Sequence, residues 1–510
     1  MWLKMIRIVD NYLNKTTMYR LVLYYLICLV SIALVFSFFH ILPFSPINLL
    51  LSTTFLIAVT WATNTLFAKV FEVGTNVESV YITALILALI ITPVSPATNF
   101  ALLLWAAVLS MASKYIVAIN KKHIFNPAAF AVVVTAFTLG QSASWWIGTK
   151  VMLPFVVLGG LLVIRKIKRL DLVWSFFLAI LLTLLGLGIF SGLDLINTTK
   201  QLILLSPLFF FAFVMLVEPL TTPPTKKLQM IYGFLVGFLF VPQIHVGSFY
   251  FTPEIALLIG NVYVFFVSPK VRLHLKLTEK FQLASDVYDF RFQHSQKFSF
   301  TSGQYLEWTL PHNKPDNRGN RRYLTIASSP TEEDIMVGVK FYENSSSFKK
   351  KLLSLPVGEE IFAGQLSGDF VLPKNPSEKL IFMAGGIGIT PFRSMLKSLI
   401  DINQQREITL IYSNKSENEI VYKDVIKDAE NKIGLKTVFV LTDKKAIRKG
   451  WEGWSGRVNK ELIKSSVPDY KNSKFYISGP KSFVDGSKLI LKNLGVSRKR
   501  IITDYFPGFV

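Results

Sequence analysis

The sequence is poor in cysteine: Cys28 is the only one among 510 residues, and it lies within an apolar run. A single cysteine cannot form a disulfide within the chain. It also cannot supply the ligands of a cysteine-bound iron–sulfur cluster or of a structural zinc–cysteine site. Any electron-transfer chemistry carried by this chain must therefore use flavin, quinone or haem.

Acidic residues are also scarce, with 33 Asp and Glu against 55 Lys and Arg, so the formal net charge is +22. This excess divides equally between the two halves of the chain. In the second half, a positive surface would suit an anionic lipid surface or an acidic donor protein. The sequence contains no nucleic-acid-binding motif, so we expect no nucleic-acid partner.

Apolar residues are abundant and unevenly placed. The hydrophobic fraction is 51% and the mean hydropathy is +0.42, which is too high for a soluble protein of this length. The long apolar runs end by Val267, and this predicts a membrane half followed by a soluble half. Ten transmembrane helices are predicted, at residues 20–42, 47–68, 79–92, 98–118, 127–143, 151–164, 171–190, 201–217, 228–243 and 253–267.

Positive charges predict the orientation of these helices in the lipid membrane. Fifteen Lys and Arg residues fall on one predicted side, and only Lys150 and Lys200 fall on the other. Because Lys and Arg concentrate in cytoplasmic loops, we expect a multi-pass plasma-membrane protein with both termini in the cytoplasm. The basic amino-terminal segment has no small-residue cleavage site, which indicates an anchor helix rather than a removed signal peptide.

Two proline motifs recur in the membrane half. Pro93 and Pro127 are 34 residues apart, as are Pro219 and Pro253, so both pairs share an offset of 126. Five helices per copy would require an inverted second copy, which places ligand or ion sites near the middle of the membrane. Alternatively, the prolines only end helices. The polar residues beside these motifs are candidates for an ion or proton relay, for a flavin contact, or for simple interfacial groups: Asn126, Glu218, Thr221, Thr222 and Thr225.

The second half has a different pattern. Apolar and polar residues alternate over 271–310, as in antiparallel strands, and a basic helix follows Ser345. After Lys379, strands and helices alternate, which is typical of a doubly wound parallel sheet. We therefore predict a transmembrane domain at residues 1–269, an antiparallel β-barrel at 270–376 and a doubly wound α/β domain at 377–510.

Residues 379–396 predict a strand, a glycine turn and a helix that opens at Thr390, with Pro391 in its first turn. Thr is a good N-cap, and Pro suits the first helical turn. Glycines let the backbone approach a ligand, and the start of a helix offers N–H groups to a pyrophosphate. Alone, such a turn can be merely a tight corner. The glycines are Gly385, Gly386 and Gly388.

Residues 121–131 and 215–233 resemble a family of membrane subunits that is shared by the sodium-pumping NADH:quinone reductase and the Rnf complexes. The resemblance implies ten helices in an inverted repeat, a flavin in the membrane, and electron transfer that is sometimes coupled to cation movement. The family's Ser-Gly-Ala-Thr motif, which carries covalent FMN on its Thr, is absent, and residues 191–194 are the nearest string. A non-covalent FMN or riboflavin remains an open alternative.

Residues 271–510 resemble the ferredoxin–NADP reductase superfamily in several motifs that occur in the family's order. Residues 322–325 resemble the flavin motif Arg-x-Tyr-Ser/Thr, and the glycine turn resembles the loop that binds the nicotinamide-nucleotide pyrophosphate. Residues 478–480 resemble the family's Cys-Gly-Pro, with Ser for Cys. Residues 504–509 resemble its carboxy-terminal Glu-x-Phe-x-Gly-Tyr, with Asp for Glu. FAD and either NADH or NADPH are the implied cofactors.

The resemblance also implies residue roles. Arg322 would pair with the FAD pyrophosphate, Ser346 and Ser347 would make a second pyrophosphate contact, and Leu324 replaces the usual stacking aromatic residue. The adenosine ribose would lie beyond the second strand, at Ser413 and Asn414. The implied catalytic residues are Thr325, near flavin N5, Ser478, beside the nicotinamide, and Asp504. The other implied cofactor-binding residues are Tyr323, Thr325, Gly385, Gly386, Gly388, Thr390, Pro391, Gly479, Pro480 and Phe506.

The sequence thus predicts a membrane-bound flavoprotein oxidoreductase. It would pass electrons from NAD(P)H through FAD to an acceptor in or across the membrane, which could be a quinone, a membrane flavin or a redox protein. One alternative is a redox-driven sodium or proton translocating subunit. Another is a ferric-reductase-like enzyme with transmembrane haems, but that architecture needs paired histidines, and no predicted span holds two.

Overall fold

The computed structural model describes residues 9–10, 12–13, 16–71, 77–95, 97, 99–119, 122–268, 272–313, 315–316, 319–443, 445, 447–448 and 450–504. The chain forms two compact units, Met1–Lys270 and Val271–Val510. The first unit consists mainly of helices. The second combines an antiparallel sheet with a parallel one.

Within the described residues, every predicted span of the first unit overlaps a helix or a bent pair of helices. These are α1 Met18–Phe38, α2 Pro46–Val70, α3 Val77–Ile90, α4 Phe100–Ile116, α5 Pro127–Leu139, α6 Leu153–Ile167, α7 Leu170–Ser191, α8 Leu195–Leu205, α9 Leu208–Met215, α10 Lys226–Phe240 and α11 Pro253–Val267. Two short hairpins lie between helices, β1 Ala118–Ile119 with β2 Lys122–His123, and β3 His245–Val246 with β4 Phe249–Tyr250.

Among the described residues, three helices, α1, α2 and α7, are long and apolar enough to cross a membrane, with 21, 25 and 22 residues. Helices α8 and α9, bent by 65° at their junction, would make a fourth span if taken together. Other apolar helices, such as α3 with 14 residues and α5 with 13, are shorter than the ~20 residues of a perpendicular span. By length and composition, the described part of the first unit therefore contains three or four candidate membrane spans.

One of the two recurring proline motifs has the same local structure in both copies, whereas in the other Pro93 lies outside the helices and Pro219 begins a short 3-10 helix. Pro127 and Pro253 are the first residues of α5 and α11. The preceding Asn126 and Thr252 cap these helices, each accepting a hydrogen bond from the backbone N–H three residues later, at 3.0 and 3.4 Å. Proline suits this position because the first helical N–H groups have no partner within the helix.

The second unit begins with a six-stranded antiparallel sheet. Its strands are β5 Leu273–Ala284, β6 Val287–Gln293, β7 Tyr305–Thr309, β8 Arg321–Thr325, β9 Ile335–Lys340 and β10 Glu360–Ser367, paired in the order β8-β7-β10-β5-β6-β9. Alternating Leu273, Leu275 and Leu277 on the first strand point to one apolar core. A short helix, α12 Ser347–Leu353, also packs on this core.

A parallel sheet follows. Its strands are β11 Leu380–Gly385, β12 Ile408–Asn414, β13 Lys436–Leu441, β14 Trp454–Ser455, β15 Lys474–Ser478 and β16 Ile501–Asp504, paired in the order β14-β13-β12-β11-β15-β16. The helices between them are α13 Thr390–Asp401, α14 Lys423–Ile433, α15 Lys460–Ser466 and α16 Lys481–Asn493. The central strands β11 and β12 are fully buried, as in a doubly wound α/β domain.

The two sheets of the second unit are linked by a buried hydrogen bond. The hydroxyl of Tyr422, just before α14, donates to the carboxylate of Asp289 on β6 at 2.5 Å. Burial raises the pKa of Asp289 to about 6, although this hydrogen bond and the charge of Arg393 favour the ionised form. At neutral pH the fold therefore holds an ionised carboxylate at a buried position.

We expect an Asp289→Asn variant to be more stable than the wild-type protein at neutral pH. The carboxyl pKa rises from 3.8 to about 6 on folding, so ionisation destabilises the folded state well above pH 6 by about 3 kcal/mol. This destabilisation is absent below pH 3.8 and grows between the two pKa values. Thermal unfolding should show a gain in melting temperature of about 6–12 °C near pH 7.5 that shrinks towards pH 4.5. A gain of equal size at both pH values would contradict the assignment to this carboxyl.

Candidate functional site

The order of the parallel sheet locates a candidate site. The first strand, β11, lies between β12 and β15, so the chain leaves it in opposite directions on its two sides. In such sheets ligands bind beyond the carboxyl ends of the strands at this switch point. The strands β11 and β15 end there at Gly385 and Ser478.

The predicted glycine turn lies at this position. Gly386 has the left-handed φ of +54°, and residues 386–389 form one tight turn before α13. The helix begins at Thr390, as predicted, with Pro391 in its first turn. The expectation that Thr390 is the N-cap is wrong, because it is already helical and its hydroxyl donates to the Ile387 carbonyl at 3.2 Å. The tight turn before the helix takes over the role of a side-chain cap.

Close backbone contacts join the glycine turn to the end of β15. A Cβ atom on Gly388 would lie 2.4 Å from the carbonyl oxygen of Ser478 and 2.5 Å from the nitrogen of Gly479. Gly479 has φ +152°, and a Cβ there would lie 3.1 Å from the Cα of Gly385. Pro480 follows at the start of α16. The two loops therefore form a cradle in which side chains are excluded and backbone can approach a nucleotide.

The three predicted catalytic residues meet at this edge of the sheet. Thr325, the last residue of β8, donates from its hydroxyl to the Asp504 carboxylate at 3.3 Å. Asp504 ends β16 and pairs directly with Ser478 at the end of β15. All three side chains are buried. Residues separated by up to 179 positions in the chain thus lie together beside the glycine cradle.

Arg322 is the main cationic group on the barrel side of the site. Its side chain is only 6% exposed, and it donates to the carbonyls of Gly319 and Arg321 at 3.0 and 2.6 Å. Its guanidinium lies over the Phe348 ring, 5.1 Å from the centroid, and pairs with Asp316 at 3.4 Å. These contacts hold the planar guanidinium in one orientation, which suits the recognition of phosphate oxygens.

Ser346 and Ser347 lie at the start of α12, beside this arginine. Ser346 is the N-cap and accepts from the Lys349 N–H at 3.3 Å. The N–H of Ser347 donates to the carboxylate of Asp316 at 3.0 Å, and the Asp316 N–H donates to the Ser347 hydroxyl at 2.9 Å. The Asp316 carboxylate therefore contacts both Arg322 and Ser347, which the sequence predicts to bind the FAD pyrophosphate. Asp316 was not predicted from the sequence, although it is the one acidic residue in the loop 311–320.

The strand β8 divides its side chains between two faces. Arg322 and Leu324 point to the face that carries the barrel core, and Leu324 packs against that core. Tyr323 shares the opposite face with Thr325, and its ring contacts Tyr305 with centroids 5.5 Å apart. Tyr323 is therefore better placed than Leu324 to contact a ring held at Thr325. The predicted Phe506 lies outside the described residues.

The predicted ribose-binding residues end the neighbouring strand β12. Ser413 pairs with Gly385 across the sheet, and Asn414 follows it. The side-chain amide of Asn414 is buried, and it makes no well-formed hydrogen bond with any described residue. Buried polar groups normally have partners, so this amide is suited to bind hydroxyl groups of a ligand.

The helical unit contains a buried polar cluster of its own. The Asn126 side chain donates to Glu218 at 2.7 Å, and the Thr221 hydroxyl donates to the same carboxylate at 3.2 Å. Asn261, in the middle of α11, accepts from the Asn126 N–H at 2.8 Å. The structure thus brings together three polar residues named from the sequence and adds Asn261. Thr222 donates to a backbone carbonyl three residues earlier, and Thr225 precedes α10.

Glu254 is a buried carboxyl group of the helical unit, whereas Glu218 is half-buried, and Glu254 was not predicted from the sequence. It lies in the first turn of α11, is 3% exposed and accepts from the indole N–H of Trp145 at 2.7 Å. Its position directly after Pro253 was the available signal in the sequence.

Comparison with known families places the nucleotide-binding domain. Residues 382–488 match the family described as "Oxidoreductase NAD-binding domain". This segment runs from within β11 to within α16 and includes the glycine turn, the end of β12 and residues 478–480. It therefore contains most of the cradle that we assign to the nucleotide.

Individual proteins are similar to the second half of the chain. The glycine betaine monooxygenase reductase subunit of Pseudomonas aeruginosa is 24% identical over 224 residues, covering 43% of this chain and 60% of that subunit. NADH-cytochrome b5 reductase 2 of Aspergillus oryzae is 28% identical over 250 residues, covering 44% of this chain and 76% of the relative. The chain thus spans about three fifths of the length of the first of these relatives.

Among solved structures, the cytochrome b5 reductase domain of Ulva prolifera nitrate reductase is 18% identical, with a TM-score of 0.42 over 46% of this chain and 98% of that domain. From the family match and the curated relatives, the second half of the chain is a reductase-type module that binds FAD and a nicotinamide nucleotide, as the sequence predicts.

Proposed function

We propose that the protein is a membrane-bound oxidoreductase that passes electrons from NAD(P)H through FAD to an acceptor in or across the membrane. The observation that carries this proposal is the convergence of Thr325, Ser478 and Asp504 beside the glycine cradle. The curated relatives, which include an NADH-cytochrome b5 reductase and monooxygenase reductase subunits, support the reaction class.

The residues present fit FAD. Arg322, Ser346 and Ser347 would hold its pyrophosphate, which would replace the Asp316 carboxylate at Arg322 and at the Ser347 N–H. Tyr323 and Thr325 would flank its ring. Gly388 and Gly479 leave no room for a Cβ atom between the two loops, so backbone rather than side chains would face the nucleotide at the cradle. When bound, FAD supplies the capacity to accept two electrons as a hydride and release them one at a time.

The side chains at this edge would orient the reactants rather than transfer protons. Hydride transfer needs no general acid or base, so the contribution of the protein is to hold the two rings in reacting geometry. Thr325 offers a hydroxyl that Asp504 fixes in orientation. Ser478 is held by strand pairing on both sides, with Ala384 and with Asp504. Burial of all three excludes water from the reacting atoms.

For the helical unit, we propose a ten-helix membrane domain that receives the electrons. Three observations support this proposal. Each predicted span overlaps helical structure, and three or four spans are long and apolar enough to cross a membrane. The third is that Pro127 and Pro253, the two copies of one proline motif, both begin capped helices. The resemblance to the membrane subunit family favours a non-covalent flavin or a quinone as the acceptor. Haem is disfavoured because His40, His123 and His245, the histidines of this unit, lie outside its described helices.

The proposal is tested with the full chain purified in detergent. We expect bound FAD in the extracted cofactors, and we expect NADH or NADPH to bleach the flavin absorbance under anaerobic conditions. Comparing the two nucleotides decides which one is the donor. Protein that binds no flavin, or stays oxidised with both nucleotides, would falsify the proposed function. A second flavin in the extract would support the relay, whereas haem absorbance would favour the alternative.

Coupling to ion movement is a second candidate, and the observation that favours it is the cluster of polar residues around the half-buried Glu218. Proteoliposomes that contain the full chain, NADH and a quinone would develop a membrane potential only if charge crosses the bilayer. We expect Glu218→Gln to abolish a sodium- or proton-dependent potential and to leave the reduction of FAD by NADH unchanged. Electron transfer without any potential would leave the protein a simple reductase.

A further inference from the structure

Contacts between the α/β domain and the barrel lie beside the nucleotide cradle and beside β8, the two parts of the proposed hydride-transfer site. Arg393, in the first turn of α13, forms two hydrogen bonds with the carboxylate of Glu332 and donates to the Ala327 carbonyl at 3.2 Å. The hydroxyl of Ser394 donates to the Ser328 carbonyl at 2.6 Å. Ala327 and Ser328 follow closely after β8. Helix α13, which starts at the nucleotide cradle, is thus attached to the segment that follows β8, the strand that carries Arg322 and Thr325.

A second attachment lies at the amino end of α14. Tyr422 is 7% exposed, and its hydroxyl donates to Asp289 on β6 at 2.5 Å. Its backbone has a φ of +57°, in the left-handed region that is strained for a residue with a Cβ atom. Strain of this kind persists only where the surrounding structure holds it. Here it directs the tyrosine ring onto the barrel.

The barrel provides a space for this tyrosine at Gly338. This glycine lies on β9 directly opposite Asp289. A Cβ atom on it would lie 2.5 Å from the Tyr422 hydroxyl, 2.8 Å from the Thr390 Cγ2 and 3.0 Å from the Asp289 carboxylate. Tyr422 and Thr390, the first residue of α13, therefore both pack against the barrel at Gly338.

We propose that Tyr422 is a positioning residue for hydride transfer, which through its hydrogen bond to Asp289 fixes the start of α13, and with it the nucleotide cradle, relative to β8. This inference rests on the proposed function. A hydride moves efficiently only between closely aligned atoms, so a displacement of the cradle by a fraction of an ångström slows the transfer step. Loss of the bond therefore lowers the rate of flavin reduction at saturating nucleotide more than it weakens the binding of either cofactor.

The charge of Asp289 strengthens this attachment, because a hydrogen bond to an ionised acceptor is shorter and stronger than a neutral one. With a pKa of about 6, raised by burial, this carboxyl is ionised at pH 7.5 and largely protonated at pH 5. The attachment therefore weakens on acidification. The other charged groups near the pair, on the strands and helices packed around it, are Arg291, Glu332, Lys340, Arg393 and Asp424.

The test is anaerobic rapid mixing of the full-length, FAD-loaded protein with its nicotinamide nucleotide. Tyr422→Phe keeps the ring and removes the hydroxyl. We expect flavin reduction at saturating nucleotide to slow about tenfold, with retention of FAD and less than about a threefold change in the nucleotide concentration for half-maximal rate. Tyr470→Phe, the same substitution on a half-buried tyrosine before β15, is the matched control and should keep the wild-type rate.

Asp289→Asn separates positioning from stability. It should be more stable than wild type at neutral pH and yet reduce its flavin about threefold more slowly, with a rate that is flat between pH 5 and 7.5, where the wild-type rate falls on acidification. A merely structural contact would not give a more stable but slower protein. If both variants reduced flavin at the wild-type rate, the inference would fail and the proposed function would stand. If the wild-type protein reduced no flavin, the proposed function itself would fail.

Discussion

An Arg322→Ala variant is expected to purify without FAD. The wild-type guanidinium is nine-tenths buried and held in orientation by two carbonyls, a ring and a carboxylate, so it is preorganised to bind phosphate oxygens. Its removal also leaves Asp316 without this cation at the start of α12, where the carboxylate would repel a pyrophosphate. Truncating one partner of such a buried charged contact costs about 3 kcal/mol or more, which weakens binding at least ~100-fold.

The measurement is the dissociation constant of FAD, obtained by titrating deflavinated full-length protein and following flavin fluorescence. Arg321→Ala is the matched control, since it removes the adjacent arginine, which pairs with Glu307 and is 29% exposed. We expect the control to bind FAD within about threefold of the wild-type value. Equal losses in the two variants would mean that the strand, and not Arg322, is what binds the cofactor.

A Gly388→Ala variant is expected to retain FAD, but the rate at which NAD(P)H reduces that FAD is expected to fall about 100-fold. The added Cβ would overlap backbone atoms of Ser478 and Gly479, which cannot rotate away as a side chain could, so the two loops must separate. The separation moves the nucleotide cradle away from Thr325, and misplacement by about an ångström costs a transfer step two orders of magnitude. Rapid-mixing kinetics give the rate of flavin reduction, and the FAD content of the same sample shows whether the cofactor is retained.

Gly486→Ala is the matched control for this substitution. Gly486 lies inside α16, and a Cβ atom there would meet nothing within 4 Å. We expect wild-type reduction kinetics and a gain in stability of about 0.5–1 kcal/mol, because alanine favours the helix. If Gly388→Ala reduced its flavin at the wild-type rate, the cradle would not be the nucleotide site. If it also lost FAD, thermal unfolding would show whether the domain remained folded.

Local patterns account for the parts of the fold that were correctly predicted from the sequence. Apolar runs gave the positions of the helices, and alternation gave the strands of the barrel, because burial selects side chains at the period of each element. The glycine turn gave the start of α13 at Thr390. The N-cap assignment failed because a tight turn before the helix replaced the capping side chain, an arrangement that single-residue preferences do not contain.

The sequence pattern did not show which residues that are distant in the chain contact one another. Nothing in the local sequence shows that Asp316 contacts Arg322 and Ser347, or that Asn261 joins Asn126 and Glu218. The sequence also did not show which residues of β8 face the barrel core, because the alternation of side chains along a strand does not say which of its two faces is buried. The structure resolved this by placing Leu324 against that core.

The sequence by itself determined which chemistry is available: one cysteine, a glycine turn before a helix, and an arginine shortly before the end of a barrel strand are local facts of composition and spacing. Only the tertiary structure decided which groups act together. Thr325 meets Asp504, and Tyr422 reaches Asp289, through the pairing order of two sheets and the space left by Gly338. Such contacts depend on how the chain returns to itself, and that is set by the packing of the whole unit rather than by any short segment.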